Sequence, residues 1–130
     1  MVNEENLALI KKGYEAFGKG DLEFIRTMVS PEGVWRTPGY GMLEHEYKGP
    51  DGVISYLSRL YELTEGTFKS ESEALFFDGD RVVSLDHITG VRNGIELDTY
   101  VVHVFSFRDG KVIEVTDFVS EPERNAAFWS

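Results

Sequence analysis

Cysteine is absent from the 130 residues, which removes disulfides, thiol nucleophiles and thiolate metal ligands together. That composition is compatible with a cytoplasmic address. Basic residues are also scarce, 13 against 23 acidic ones, and the net charge is −10. The basic side chains are scattered singly, so repulsion from phosphate argues against nucleic acid and against an anionic membrane as partners. No apolar run approaches the ~20 residues of a membrane span. The opening MVNEENLALIKKG is acidic and its apolar run is short, unlike a signal peptide. Catalytic and cofactor motifs are missing too. Gly39-Tyr40-Gly41 starts like a dinucleotide loop, but Glu44 stands where a third glycine belongs. His45-Glu46 lacks the second histidine of a zinc helix, and no Gly-x-Ser-x-Gly elbow occurs. The chain implies no cofactor and no metal.

What is present points to one globular unit. Hydrophobic residues are 42% and aromatics 13% of the chain, too many for disorder, and the length suits a single domain over residues 1–130 with one core. Leu7, Ile10, Tyr14 and Phe17 lay an apolar stripe along a first helix that Gly18 and Gly20 end. Asp21 stands as N-cap to a short second helix with Leu22, Phe24, Ile25, Met28 and Val29, closed by Ser30-Pro31. Val34 to Thr37 reads as a brief strand, followed by a loop from Pro38 to Gly49. Pro50-Asp51 opens a third helix with Val53, Ile54, Leu57, Leu60 and Tyr61 on its apolar face. Four long strands follow, roughly Thr67 to Phe77, Arg81 to Arg92, Ile95 to Phe107 and Lys111 to Ser120. Asp78-Gly79-Asp80, Asn93-Gly94 and Asp109-Gly110 carry hairpin chemistry between them. The tail from Glu121 adds a last helical turn with Phe128 and Trp129. The expected fold is α+β: a curved antiparallel sheet wrapped by three N-terminal helices into a cone with an internal pocket.

Two ionisable residues, His103 and Asp117, interrupt strands that otherwise read as core. Such groups need a partner or a cavity, because burying them alone costs several kcal/mol. An Asn93-Gly94 two-residue turn pairs Asp86 with Val101 and Ser84 with His103, which puts Asp86 and His103 on one face. The last hairpin is ambiguous on its residues. A two-residue Asp109-Gly110 loop pairs Val102 with Asp117 and opposes His103. A three-residue loop starting at Arg108 pairs Val101 with Asp117, and His103 with Val115.

YEAFGKGDL in the first helical corner, VWRTPG in the first strand, YKGPDGVISYL opening the third helix and HVFSFRDGKVIEVTDFV at the end resemble the SnoaL-like branch of the nuclear transport factor 2-like superfamily. The resemblance covers approximately Leu7 to Ser120. It implies the cone fold shared by ketosteroid isomerases, limonene epoxide hydrolases and polyketide cyclases. The isomerase's oxyanion tyrosine falls at Gly13, with Tyr14 one position away; its catalytic aspartate falls at Thr37 and its second acid at His103. The hydrolase's terminal-strand aspartate falls at Asp117, and its Arg-x-Asp unit at Ser84-Leu85-Asp86 without the arginine. The cyclases similarly rely on a pocket aspartate as acid/base.

Both compared enzyme types direct the equivalents of His103 and Asp117 into the cone, so the resemblance selects the three-residue loop. The inner face then holds Val82, Ser84, Asp86, Thr99, Val101, His103, Phe105, Ile113, Val115, Asp117 and Val119. The outer face holds Val83, Leu85, His87, Tyr100, Val102, Val104 and Phe118, apolar enough to predict a homodimer through the sheet. The expected site places His103 between Asp86 and Asp117 on the floor of a pocket walled by Tyr14, Trp35, Tyr56, Leu60, Val101, Phe105 and Val119. Asp117 is the expected general base, with His103 donating to a developing oxyanion. Two functions fit. One is a cofactor-independent isomerase, cyclase or hydrolase acting on a hydrophobic cyclic or polyketide-like substrate. The other is a non-catalytic protein that binds or carries a small apolar ligand, in which case the trio only satisfies its own buried polar groups.

Overall fold

The computed structural model describes residues 2–130. Helix α1 (Val2–Gly18) and helix α2 (Leu22–Met28) form the expected corner, with the Asp21 carboxylate accepting the Phe24 amide at 3.1 Å as N-cap. Strand β1 (Val29–Arg36) begins directly where α2 ends and is longer than the sequence suggests. The loop read as irregular contains a 3-10 turn (Gly41–Leu43) and a three-residue strand β2 (Glu46–Lys48). Helix α3 (Gly49–Leu63) carries Pro50 in its first turn, where the missing amide hydrogen costs nothing. Strands β3 (Lys69–Asp78), β4 (Arg81–Arg92), β5 (Ile95–Arg108) and β6 (Lys111–Val119) follow, and α4 (Pro122–Phe128) closes the chain. No described helix is long and apolar enough to cross a membrane.

The strands form one curved, unclosed six-stranded sheet in the order β2-β1-β6-β5-β4-β3. It is mixed, correcting the expectation of an antiparallel sheet: β1 lies parallel to β6, with Trp35 opposite Val115. That contact joins segments far apart in the chain and leaves no local turn signal to read. Two bulges, at Glu73 in β3 and at Ile113 in β6, supply local bending. In β4 every second residue from Val82 to Gly90 is buried, the period-two pattern of a strand with one face on a core. The concave face meets α1, α2 and α3 around Ile10, Ile25, Val53, Leu57 and Leu60.

The last hairpin reaches the expected face by an unexpected route. Arg108 pairs with Lys111, so the loop is the two-residue Asp109-Gly110 turn, with both residues at positive φ (51° and 76°). That combination is a type I′ geometry, not the three-residue loop. Ile113 then bulges, and beyond it His103 pairs directly with Asp117 and Val101 with Val119. Val115 therefore faces Phe105, not His103. The bulge also corrects the inner face: Val112 is buried there, whereas Ile113 is only half-buried.

Candidate active site

Alternation along β4, β5 and β6 turns Ser84, Asp86, His103 and Asp117 to the concave side. Ser84, His103 and Asp117 stand in one row across the three strands, and Asp86 is diagonal to the histidine. Asp86 and Asp117 are 0% exposed and His103 7%, so neither charge of the acids is relieved by water. Each ring nitrogen of His103 meets one acid. Nδ1 is 2.7 Å from Asp86 Oδ2, and Nε2 is 3.3 Å from Asp117 Oδ1.

Both acids have further donors. The Tyr14 phenol donates to Asp86 Oδ2 at 2.5 Å, and the Ser84 hydroxyl donates to Oδ1. Ser70 adds a longer contact of 3.4 Å, and Ser72 bonds Ser84 at 3.0 Å. The Trp35 indole N–H donates to Asp117 Oδ1 at 2.8 Å. Asp117 Oδ2, by contrast, is buried without a hydrogen-bond partner, and His103 Nδ1 meets Asp86 at ion-pair distance without hydrogen-bond geometry.

These partners set the protonation of the site. Burial pushes His103 toward its neutral form, but the charge of Asp117, the contacts to Asp117 and Asp86 and the charge of Asp86 outweigh it, raising its pKa to about 10. Burial likewise pushes the Asp86 carboxyl up, and His103, Ser84 and Tyr14 more than offset this, leaving it below its ordinary value. At neutral pH His103 is an imidazolium. Two carboxylates against one cation leave an excess negative charge, and burial with that charge raises the Tyr14 phenol well above its ordinary value.

A cavity of about 90 Å³ lies over this floor, lined largely by apolar and aromatic side chains. Tyr14, Trp35, Tyr56, Leu60 and Phe105 line it, and so does His103, whose ring stacks on Phe105 and meets Trp35 edge-on. Val101 and Val119 do not, although both belong to the inward rows. Asp86 and Asp117 sit behind the histidine and are not part of the wall. Thr37 is buried but away from the cavity, bonding the Leu43 carbonyl at 2.7 Å. Gly13 does line it, and the neighbouring Tyr14 reaches the acid cluster despite being one position from the isomerase tyrosine. His87 stays on the outer face against Asp98 at 2.6 Å, and His45 is an exposed loop residue.

Sequence reasoning missed Tyr40. It is fully buried, lines the cavity and lies in the field of Asp117. The available signal was an aromatic side chain between two glycines, Gly39 and Gly41, both at positive φ.

The SnoaL-like domain family matches residues 10–115. Bal32a, from a soil-derived mobile gene cassette, is 27% identical and superposes over 100% of both chains with a TM-score of 0.96. TerC, co-crystallized with polyporic acid, is 25% identical over 89% of this chain and 92% of its own, with a TM-score of 0.77. A putative SnoaL-like polyketide cyclase from Jannaschia sp. CCS1 shares the fold at 18% identity, covering 99% and 94% with a TM-score of 0.81. The expected cone fold is thus shared with these proteins, and this chain belongs to the SnoaL-like domain family.

Proposed function

We propose that this protein handles a small hydrophobic cyclic molecule in the cone, with His103 as the proton donor that touches it. The observation that carries the reading is the cavity wall: His103 is its one cationic side chain among the described residues, set among aromatic rings and held charged from behind. Nδ1 is buried 2.7 Å from Asp86, whereas Nε2 is not among the fully buried unpartnered atoms and lies 3.3 Å from Asp117, so Nε2–H is the donor open to a substrate oxygen. Asp117, which faces the same nitrogen, serves as the acid/base that exchanges the Nε2 proton, and Asp86 with Tyr14 fixes the other side. The reaction class is a cofactor-independent isomerisation, cyclisation or hydrolysis. A relative co-crystallized with polyporic acid supports a small-molecule role for such a cone. The cavity volume favours a single ring over a polycyclic polyketide.

The second reading, a carrier without turnover, is favoured by the placement of both carboxylates behind the wall, where no substrate proton reaches them directly. Native mass spectrometry of the purified protein identifies the retained molecule, and turnover of that molecule then separates the readings. Loss of turnover in His103→Gln and Asp117→Asn, with retention of the ligand, supports catalysis; unchanged turnover in both contradicts it. As partner we propose a second copy of the chain on the outer sheet face, where Phe118 is 56% and Tyr100 38% exposed. Light scattering at micromolar concentration reads a dimer for the wild type and a monomer for Phe118→Asp; a monomeric wild type refutes it. A cytoplasmic address completes the proposal and rests on the cysteine-free composition.

A further inference from the structure

Beside the main cavity lies a second one, of about 30 Å³, between the sheet and helices α2 and α3. Five valines of β1, α3 and β6 close its far side, Val53 and Val115 among them. Its wall is aliphatic and aromatic throughout, and its one polar side-chain hydrogen, the Trp35 indole N–H, is given to Asp117 at 2.8 Å. A water there has no side chain to bond, so the space favours an apolar occupant.

Four side chains, Ile25, Met28, Trp35 and Phe105, line both cavities and form the partition between them. Three are held in place. Trp35 is fixed by its bond to Asp117, and Phe105 by stacking on His103 at 6.0 Å and by an edge contact with Tyr14 at 6.5 Å. Ile25 is β-branched on a helix, which leaves it one strongly preferred rotamer. Met28, the last residue of α2, is different: its thioether is unbranched and turns about three bonds. The end of that side chain lies against Gly13 of α1, where an added Cβ would stand 2.7 Å from Cε and 2.9 Å from Sδ. Gly13 is not at positive φ, so the backbone does not require glycine there, and glycine inside a helix weakens it relative to alanine. What this glycine supplies is room for the thioether.

We propose that the two cavities form one binding site, with Met28 as the movable side chain that admits a short saturated branch of the ligand into the second. This rests on the small-molecule reading above and narrows the ligand to a ring bearing an alkyl chain of about two or three carbons, the part that the smaller cavity holds. The ring occupies the main cavity beside His103, and the branch passes between Met28 and the fixed faces of Trp35 and Phe105 to reach the valines. A charged or hydroxylated branch does not fit, because no side chain beyond the partition offers it a hydrogen bond. Each methylene that leaves water for this space tightens binding about fourfold.

The test measures dissociation constants of toluene, ethylbenzene and n-propylbenzene by ligand-observed NMR for the wild type, Met28→Ala and Met28→Ile, with melting temperatures confirming that each variant is folded. The wild type should tighten about fourfold for each added methylene, with intermolecular NOEs from the terminal methyl of n-propylbenzene to Val53 and Val115. Met28→Ala removes the movable part and should keep both the gain and the NOEs. Met28→Ile puts a stiff β-branched side chain in its place and should bind toluene within about twofold of the wild type while losing the gain. A gain that persists in Met28→Ile, is lost in Met28→Ala, comes without the NOEs or is missing from the wild type overturns the two-cavity site, while toluene binding leaves the main cavity as a ligand site. Failure of all three probes to bind the wild type removes it together with the small-molecule reading.

Discussion

Replacing Asp117 by Asn removes one negative charge 3.3 Å from His103 Nε2 while keeping a carbonyl oxygen for the Trp35 indole. At that separation and an effective dielectric near 20, the lost attraction is on the order of 5 kcal/mol. Taken at face value this lowers the histidine by roughly three to four pH units. Relaxation and admitted water reduce such effects to roughly one to three units for a close charge pair. Asp86 remains on Nδ1 at 2.7 Å, so the ring stays partly held, and its pKa falls from about 10 to roughly 7–9. The assay is an NMR pH titration of the imidazole Cε1–Hε1 signals. The chain's 3 histidines are assigned by the single variants His45→Gln, His87→Gln and His103→Gln. A wild-type His103 that titrates with an ordinary pKa near 6.5, or an Asp117→Asn protein whose His103 keeps the wild-type value, refutes the reasoning about the trio.

Stability should depend on pH through the same groups. His103 has a raised folded-state pKa, so its stabilising contribution is complete below about 6.5 and is lost as pH climbs through about 10. Asp86 is depressed below 3.8, so its contribution holds above that value and disappears as pH falls through the lower folded one. Calorimetric melting should therefore be highest between about pH 4.5 and 6.5; a melting temperature that rises from pH 7 to 10 contradicts the assignment. Deleting Ile113 removes the bulge and leaves Asp117 opposite His103 on the inner face, because the residues on either side keep their present partners. The expected loss is therefore only about 1–3 kcal/mol, read by urea denaturation, and a protein that fails to fold would contradict the register. Gly41→Ala combines a φ of +56° with a 2.5 Å approach to the Ala126 carbonyl and should cost about 1–3 kcal/mol. Hydrogen exchange should show lost protection at the Met42 amide, which donates to the Trp129 carbonyl at 3.0 Å; full protection would mean that the loop accommodates the added carbon.

Local signals carried much of this architecture. The Leu7-Ile10-Tyr14-Phe17 stripe, the Asp21 cap and the Asn93-Gly94 turn each act over a few residues, and β4 pairs with β5 in the register that turn dictates. The second hairpin shows where locality ends. Val112 and Ile113 are both β-branched and apolar, and nothing in their chemistry marks which one bulges. The face of Asp117 came out as expected only because a bulge in the strand replaced the one assigned to the loop. The parallel β1–β6 contact and the placement of Tyr40 depend on groups brought together from distant segments, α4 included. Whether an inward residue borders the cavity or packs behind it is likewise a matter of three-dimensional filling: Val101 and Phe105 share a face, but only Phe105 reaches the cavity.

The most direct test of the central claim is to watch the His103 and Trp35 ring signals while the molecule that native mass spectrometry finds retained is added back to ligand-free protein. The cone site predicts saturable shifts of His103 Hε1 and of the Trp35 indole N–H with one common dissociation constant, and none at His87 on the outer face. Unmoved His103 and Trp35 signals, or shifts confined to His87, would contradict it.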